Sequence, residues 1–179
     1  MMIRSRMFLQ LALALIVGGA GYPSAGNAQS PTSQSQMENA TNKAMVRRWI
    51  DEGFNKKAFN VVDEIFAETF AINGRLISRE QLKQSMRRRF VAFPDLEVTI
   101  DEFVAEGNLV GVWYTAKGTH RGEFEGIAPT GKKVTWFGFD LLQIRNGKVA
   151  QGRFIDDSLG LMRQLGASLS SPPPQGLRR

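Results

Sequence analysis

KVTWFGFDLLQIR (residues 133–145), the dipeptide Asn146-Gly147 and KVAQGRFIDD (residues 148–157) decide the fold. Apolar residues recur here at every second position, the period of a pleated strand rather than of a helix. Asn-Gly between two such runs is the chemistry of a tight primed turn, so the runs are predicted to fold back as an antiparallel hairpin. In the first run Val134, Trp136, Gly138, Leu142 and Ile144 share one parity, while Thr135, Phe137, Phe139 and Leu141 share the other. Both faces are therefore apolar. One face suits a hollow beneath the sheet. The other must be covered by a second subunit, by the C-terminal tail or by the long preceding connection, because large bare apolar patches mark contact surfaces.

Toward the N-terminus, Leu96–Glu106 and Leu109–Arg121 repeat the pattern, divided by Gly107-Asn108. Gly122 to Gly131 is a longer connection containing Pro129. Before Pro94 the period is helical. Ala44, Met45, Arg48, Trp49 and Glu52 keep helical spacing as far as Gly53, a plausible stop. Val61, Val62, Ile65 and Phe66 stripe a second helix, and Phe70-Ala71-Ile72 reads as a short strand before a turn at Asn73-Gly74. Ser78 followed by Gln81 has the capping-box form, opening a third helix with Leu82, Met86, Phe90 and Phe93 inward. Residues 158–165 form a short last helix. Three helices followed by an antiparallel meander is an α+β arrangement in which helices cover one sheet face and enclose a hollow.

Arg4 and Arg6, an apolar run from Met7 to Ala20 and the small residues up to Gly26-Asn27-Ala28 have the order of a cleavable signal peptide. The run falls short of the roughly 20 residues that a spanning helix needs, so no stable membrane anchor is expected. Residues 1–28 are thus expected to be a signal peptide, 29–36 a flexible leader, 37–166 one folded domain and 167–179 a disordered tail. A periplasmic or secreted location follows. The chain has 179 residues and no cysteine, so its domain must stand on one core without disulfides. The lack of cysteine excludes thiolate zinc, and His120, the only histidine, excludes a multi-histidine metal site. The net charge of +6 gathers at Arg87-Arg88-Arg89 and the terminal Arg178-Arg179. No aromatic interleaving accompanies it, so nucleic acid is not an expected partner, and the run reads as a solvated helix face.

Asp140 falls in step with Trp136 and Leu142, on an apolar face. A carboxylate there needs a partner, a ligand or a raised pKa. It is either a general acid/base facing a cavity or a structural aspartate bonded to Arg153 or to backbone. His120, at a strand end, shares the parity of Val112 and Tyr114 and is either an acid/base group or a hydrogen-bonded strand-end residue. Asp156-Asp157 and Arg153 form a third group, in which Arg153 and Asp157 share a face and can pair; otherwise Arg153 suits an anionic or enolate oxygen. Trp49, Phe54, Phe90, Trp113 and Trp136 are candidate walls of the hollow, or simply core. No Gly-x-Ser-x-Gly, phosphate loop or nucleotide fingerprint is present.

Several stretches, in order, carry a resemblance: Phe93-Pro94-Asp95-Leu96, Val104-Ala105-Glu106-Gly107, GTHRGEF (118–124), GIAPTGK (126–132), Gly138-Phe139-Asp140 and LGLMRQLG (159–166). Over roughly Asn42 to Gly166 the chain resembles the SnoaL-like polyketide cyclases, also called ester cyclases. The resemblance implies the cone-shaped barrel of nuclear-transport-factor-like proteins, a curved, mainly antiparallel sheet closed by three N-terminal helices, with homodimers formed through the sheet. It implies an intramolecular aldol condensation without cofactor or metal, with Asp140 moving the proton and His120 helping to hold the enolate. Two stretches depart from the pattern: Ala71-Ile72-Asn73 stands where many relatives have a histidine, and Gln151-Gly152-Arg153 replaces a Glu-His-Trp-like triplet. Asp157 is kept, so Asn73, Arg153 and Asp157 join the expected ligand contacts. The expected function is exported, cofactor-independent acid/base chemistry, aldol cyclisation or isomerisation, on a small hydrophobic carbonyl compound. The alternatives are a module binding such a molecule without turnover, or a dimeric accessory protein.

Overall fold

Thr32 opens the first helix: its hydroxyl accepts the Ser35 amide, and α1 runs Ser33–Arg48. A computed structural model describes residues 32–167 of the chain. The expected signal peptide, the start of the leader and residues 168–179 lie outside the described residues. Within them, Ser33–Gln36 is not leader but the first turn of α1, because Thr32 supplies the cap. Nor does the helix stop at Gly53. It widens into a π-helical segment, Trp49–Asn55, in which a side chain on Gly53 would lie 2.8 Å from the Trp49 ring. Glycine here admits an indole against the backbone instead of ending the helix.

α2 (Asn60–Ile65) passes directly into β1 (Phe66–Ile72), so Phe66 begins a strand rather than ending a helix. Asn73 and Gly74 both take positive φ, 50° and 81°, and turn the chain into β2 (Arg75–Ser78). That strand is short and has no fully buried residue, which left it without a periodic signal. α3 (Arg79–Ala92) carries the expected capping box, with reciprocal bonds between Ser78 and Gln81. The meander follows as read: β3 (Glu97–Glu106), β4 (Leu109–Thr119), β5 (Lys133–Arg145) and β6 (Lys148–Asp156), closed by α4 (Ser158–Leu165).

The sheet order is β2-β1-β6-β5-β4-β3. Every pairing is antiparallel except β1 with β6. This is the expected α+β class, with N-terminal helices on a mixed, mainly antiparallel sheet and a short C-terminal helix. Along β5 burial alternates as the sequence parity requires, with Val134, Trp136, Gly138, Asp140, Leu142 and Ile144 inward. Val134, Trp136, Leu142 and Ile144 pack with Trp49, Ile50, Phe66, Phe70 and Phe93 in one core.

Candidate functional site

Three strands meet at Gly138. It pairs with Tyr114 on β4 and with Asp156 on β6, so these residues form one row on the inner face. A Cβ at position 138 would lie 2.3 Å from both Cζ and Oη of Tyr114. The absent side chain lets the phenol lie across β5, where its hydroxyl donates to Asp156 Oδ1 at 2.9 Å. Arg89, reaching in from α3, donates through Nη2 to Asp156 Oδ2 at 2.9 Å.

The next row inward is Val112–Asp140–Phe154. Asp140 is only 4% exposed and its Oδ1 has no hydrogen-bond partner. It lines a cavity with Arg89, Tyr114 and Trp136, closed by Ile50, Phe54, Leu96, Val98 and Ala116. Trp136 Nε1 is likewise buried and unpartnered. An orphaned acceptor and an orphaned donor thus belong to residues of one cavity, and such groups call for a ligand or water. The inner void is small, about 10 Å³, or about one water.

Burial, and then the charge of Asp156, push the Asp140 carboxyl up to about 8, while Arg89 pulls it the other way. Both protonation states are therefore accessible near neutrality, as proton transfer requires. Tyr114 is pushed up by burial and by the Asp140 and Asp156 carboxylates, which fixes its phenol as a donor. Burial opposes the charge on Arg89, but Asp156, Tyr114 and Asp140 outweigh it, and its pKa is raised.

Phe54 and Trp136 apart, the other expected site residues lie elsewhere. Arg153 is exposed on the outer face. Lys148 pairs with Arg145 and Val149 with Ile144, a register that would set Arg153 opposite Asp140; a bulge at Ala150 then shifts it by one. Arg153 meets Leu141 instead, and a one-residue shift moves a side chain to the opposite face. The same bulge turns Asp156 inward. Asp157 forms no pair with Arg153; it caps α4, accepting the Gly160 amide at 2.8 Å. Asn73 is an exposed turn residue whose amide exchanges two hydrogen bonds with the Phe154 backbone, fastening β1 to β6.

His120 is fully buried, as its parity implied, but it does not line the Asp140 cavity. It lies eight residues beyond Val112, the cross-strand partner of Asp140, about 26 Å along an extended strand. Its Nδ1 accepts the Thr130 amide at 3.2 Å, and its ring packs on Phe93, which packs on Trp136. Trp49 is core, edge-on to Phe54 and Phe66, and Phe90 lies behind Phe54. Trp113 is 41% exposed and stacks on Phe137 on the outer face. Of the expected walls, Phe54 and Trp136 line the cavity.

Arg89 and Tyr114 were not among the expected site residues, and Asp156 was grouped with Asp157 and Arg153 without a role of its own. Tyr114 had the inward parity of Val112. Arg89 stands three residues after Met86 and seven after Leu82, on the inner face of α3, which the flanking Arg87 and Arg88 disguised as a solvated run. Only the bulge could have revealed Asp156.

Known proteins agree with this architecture. A structure from Jannaschia sp. CCS1, provisionally named a SnoaL-like polyketide cyclase, is 25% identical with TM-score 0.68, over 78% of this chain and 99% of that one. IdmH of Streptomyces antibioticus, provisionally named a polyketide cyclase, is 25% identical with TM-score 0.63, over 70% and 99%. AclR of Streptomyces galilaeus, provisionally named a hydroxylase, is also 25% identical with TM-score 0.65, over 75% and 86%. No curated protein matches the chain. With residues 44–165 matching the family model described as SnoaL-like polyketide cyclase, the chain belongs to the SnoaL-like polyketide cyclase family.

Proposed function

We propose that this protein moves a proton at the carbon next to a carbonyl group, without a cofactor, in a small hydrophobic substrate. The observation that carries the reading is the pair of buried, unpartnered atoms in one cavity, Asp140 Oδ1 and Trp136 Nε1. The ionised Asp140 takes the proton from the α-carbon, and the electron pair of that C–H bond moves onto the carbonyl oxygen. The indole N–H takes up the developing negative charge. The enolate carbon then attacks a second carbonyl, closing a ring, and the alkoxide so formed takes the proton back from Asp140; or the enolate recovers that proton at another position, giving an isomer. Asp156 positions Tyr114 and Arg89. His120 acts at a distance, by holding the connection between β4 and β5.

Exchange of the α-hydrogens of 4-oxo-4-phenylbutanoate in D2O, followed by proton NMR, tests this. Asp140→Asn is expected to slow the catalysed exchange by about 100-fold or more, and Trp136→Phe by about tenfold. Asp140→Asn exchanging as fast as the unaltered protein sinks the reading. Binding of carbonyl compounds with no exchange in any of them favours the module that binds without turnover.

The protein is exported, residues 1–28 being removed, and works as a dimer through the outer sheet face. A secreted form whose N-terminal sequence does not start near Gln29 contradicts the first statement.

A further inference from the structure

α3 and the connection between β4 and β5 enclose a second hollow, an open groove of about 680 Å³. That volume suits a small metabolite, which the inner void does not. One wall is α3, with Arg87, Arg88, Arg89 and Val91; across from it stand Glu123, Phe124 and Glu125. Arg89 alone lines both hollows. Its side chain is 28% exposed, yet its Nη2 holds Asp156 at 2.9 Å, so the guanidinium is the partition between groove and cavity.

The charges of the groove are unevenly engaged. Arg87 is paired with Glu80 at 2.7 Å. Two carboxylates also border the groove: Glu123, which accepts the Gly126 amide at 3.1 Å, and Glu125, which is exposed. Arg88 is exposed and has no ion-pair or hydrogen-bond partner among the described residues. One guanidinium is thus open, beside another that already shows how it takes a carboxylate.

We propose that this groove is the outer half of the substrate site and selects an oxo acid, with the carboxylate between Arg88 and Arg89 and the apolar body on Val91 and Phe124. The oxo group's destination rests on the acid/base reading of Asp140; the selection of the carboxylate does not. Exchanging Asp156 for an incoming carboxylate on Arg89 is nearly balanced, since one charge-assisted pair replaces another. Arg88 tips that balance. Drawn toward the groove, Arg89 leaves the partition and joins the two hollows, while Tyr114 still donates to Asp156. A neutral ester has no charge with which to make the exchange.

Isothermal titration of the folded protein with 4-oxo-4-phenylbutanoate and with its methyl ester tests the proposal. The acid is expected to bind at least about tenfold more tightly than the ester, with the preference falling to within about twofold in Arg88→Gln. The Arg89 Nε–Hε NMR signal shifts with the acid and stays in place with the ester. Asp140→Asn keeps the preference, so loss of the proton-transfer reading leaves this result visible. Equal affinities for acid and ester, an undiminished preference in Arg88→Gln, or an unmoved Arg89 signal each overturn the proposal.

Discussion

Asp140 holds its proton up to about pH 8 because burial and the Asp156 carboxylate both disfavour its charge, and this ties stability to pH. In the unfolded chain such a carboxyl ionises near about 3.9. Between about pH 4 and 8 the unfolded state therefore binds fewer protons than the folded one, and stability falls as pH rises through that window. Below it the group costs nothing; above it the cost stops growing. Asp140→Asn is expected to match the unaltered protein in urea at pH 4 and to exceed it at pH 8.5 by on the order of a few kcal/mol. An equal difference at both pH values contradicts the assignment. Gly138→Ala belongs to the same scale: its methyl group would meet the Tyr114 phenol at 2.3 Å, in a strand fixed on both sides. A loss of about 1–3 kcal/mol in urea unfolding is expected. Gly111→Ala, where the nearest atom is a Val104 methyl at 3.0 Å, costs less. Parity alone made Asp140 legible, because a carboxylate in step with Trp136 and Leu142 is visible in one strand. The Arg89–Asp156 pair was not, since it joins residues 67 positions apart whose sequence neighbours are also charged.

The elements were legible wherever a period ran long enough. β5 and β6, and the primed turn between them, follow from alternation and Asn146-Gly147, whose φ values are both positive, 51° and 67°. What alternation does not carry is a break in itself. The bulge at Ala150 leaves both runs reading as strands while reversing which face Arg153 and Asp156 occupy. The parallel pairing of β1 with β6 was hidden for another reason, being a long-range contact with no turn to announce it. Asp157 was legible as a position but not as a role. It caps α4, so Asp157→Ala is expected to lower stability by about 1 kcal/mol while leaving α-hydrogen exchange of 4-oxo-4-phenylbutanoate unchanged. Loss of exchange with stability intact would instead restore Asp157 to the site.

At the scale of the whole molecule, the apolar outer face asks for a partner. Trp113, Phe139 and Ile155 lie in one row across β4, β5 and β6, and Phe137 stacks on Trp113 with centroids 5.1 Å apart. Trp113 is 41% exposed, Phe137 46% and Ile155 61%, so a wide aromatic surface is left to water. Burying it gains roughly 25 cal/mol for each Å² covered. A second copy placed face to face supplies a matching apolar row, because a twofold axis sets the same patch against itself. The sequence had already shown two apolar faces on β5, and the helices cover only the inner one. Phe137→Lys with Ile155→Lys sets charges against their own symmetry mates without touching the core. Sedimentation equilibrium at micromolar concentration is expected to find a dimer for the unaltered chain and a monomer of unchanged circular dichroism for the double variant. A monomer for the unaltered chain would mean that the face is covered from within the chain. In that case Trp113 fluorescence, rather than mass, would respond to removal of residues 168–179.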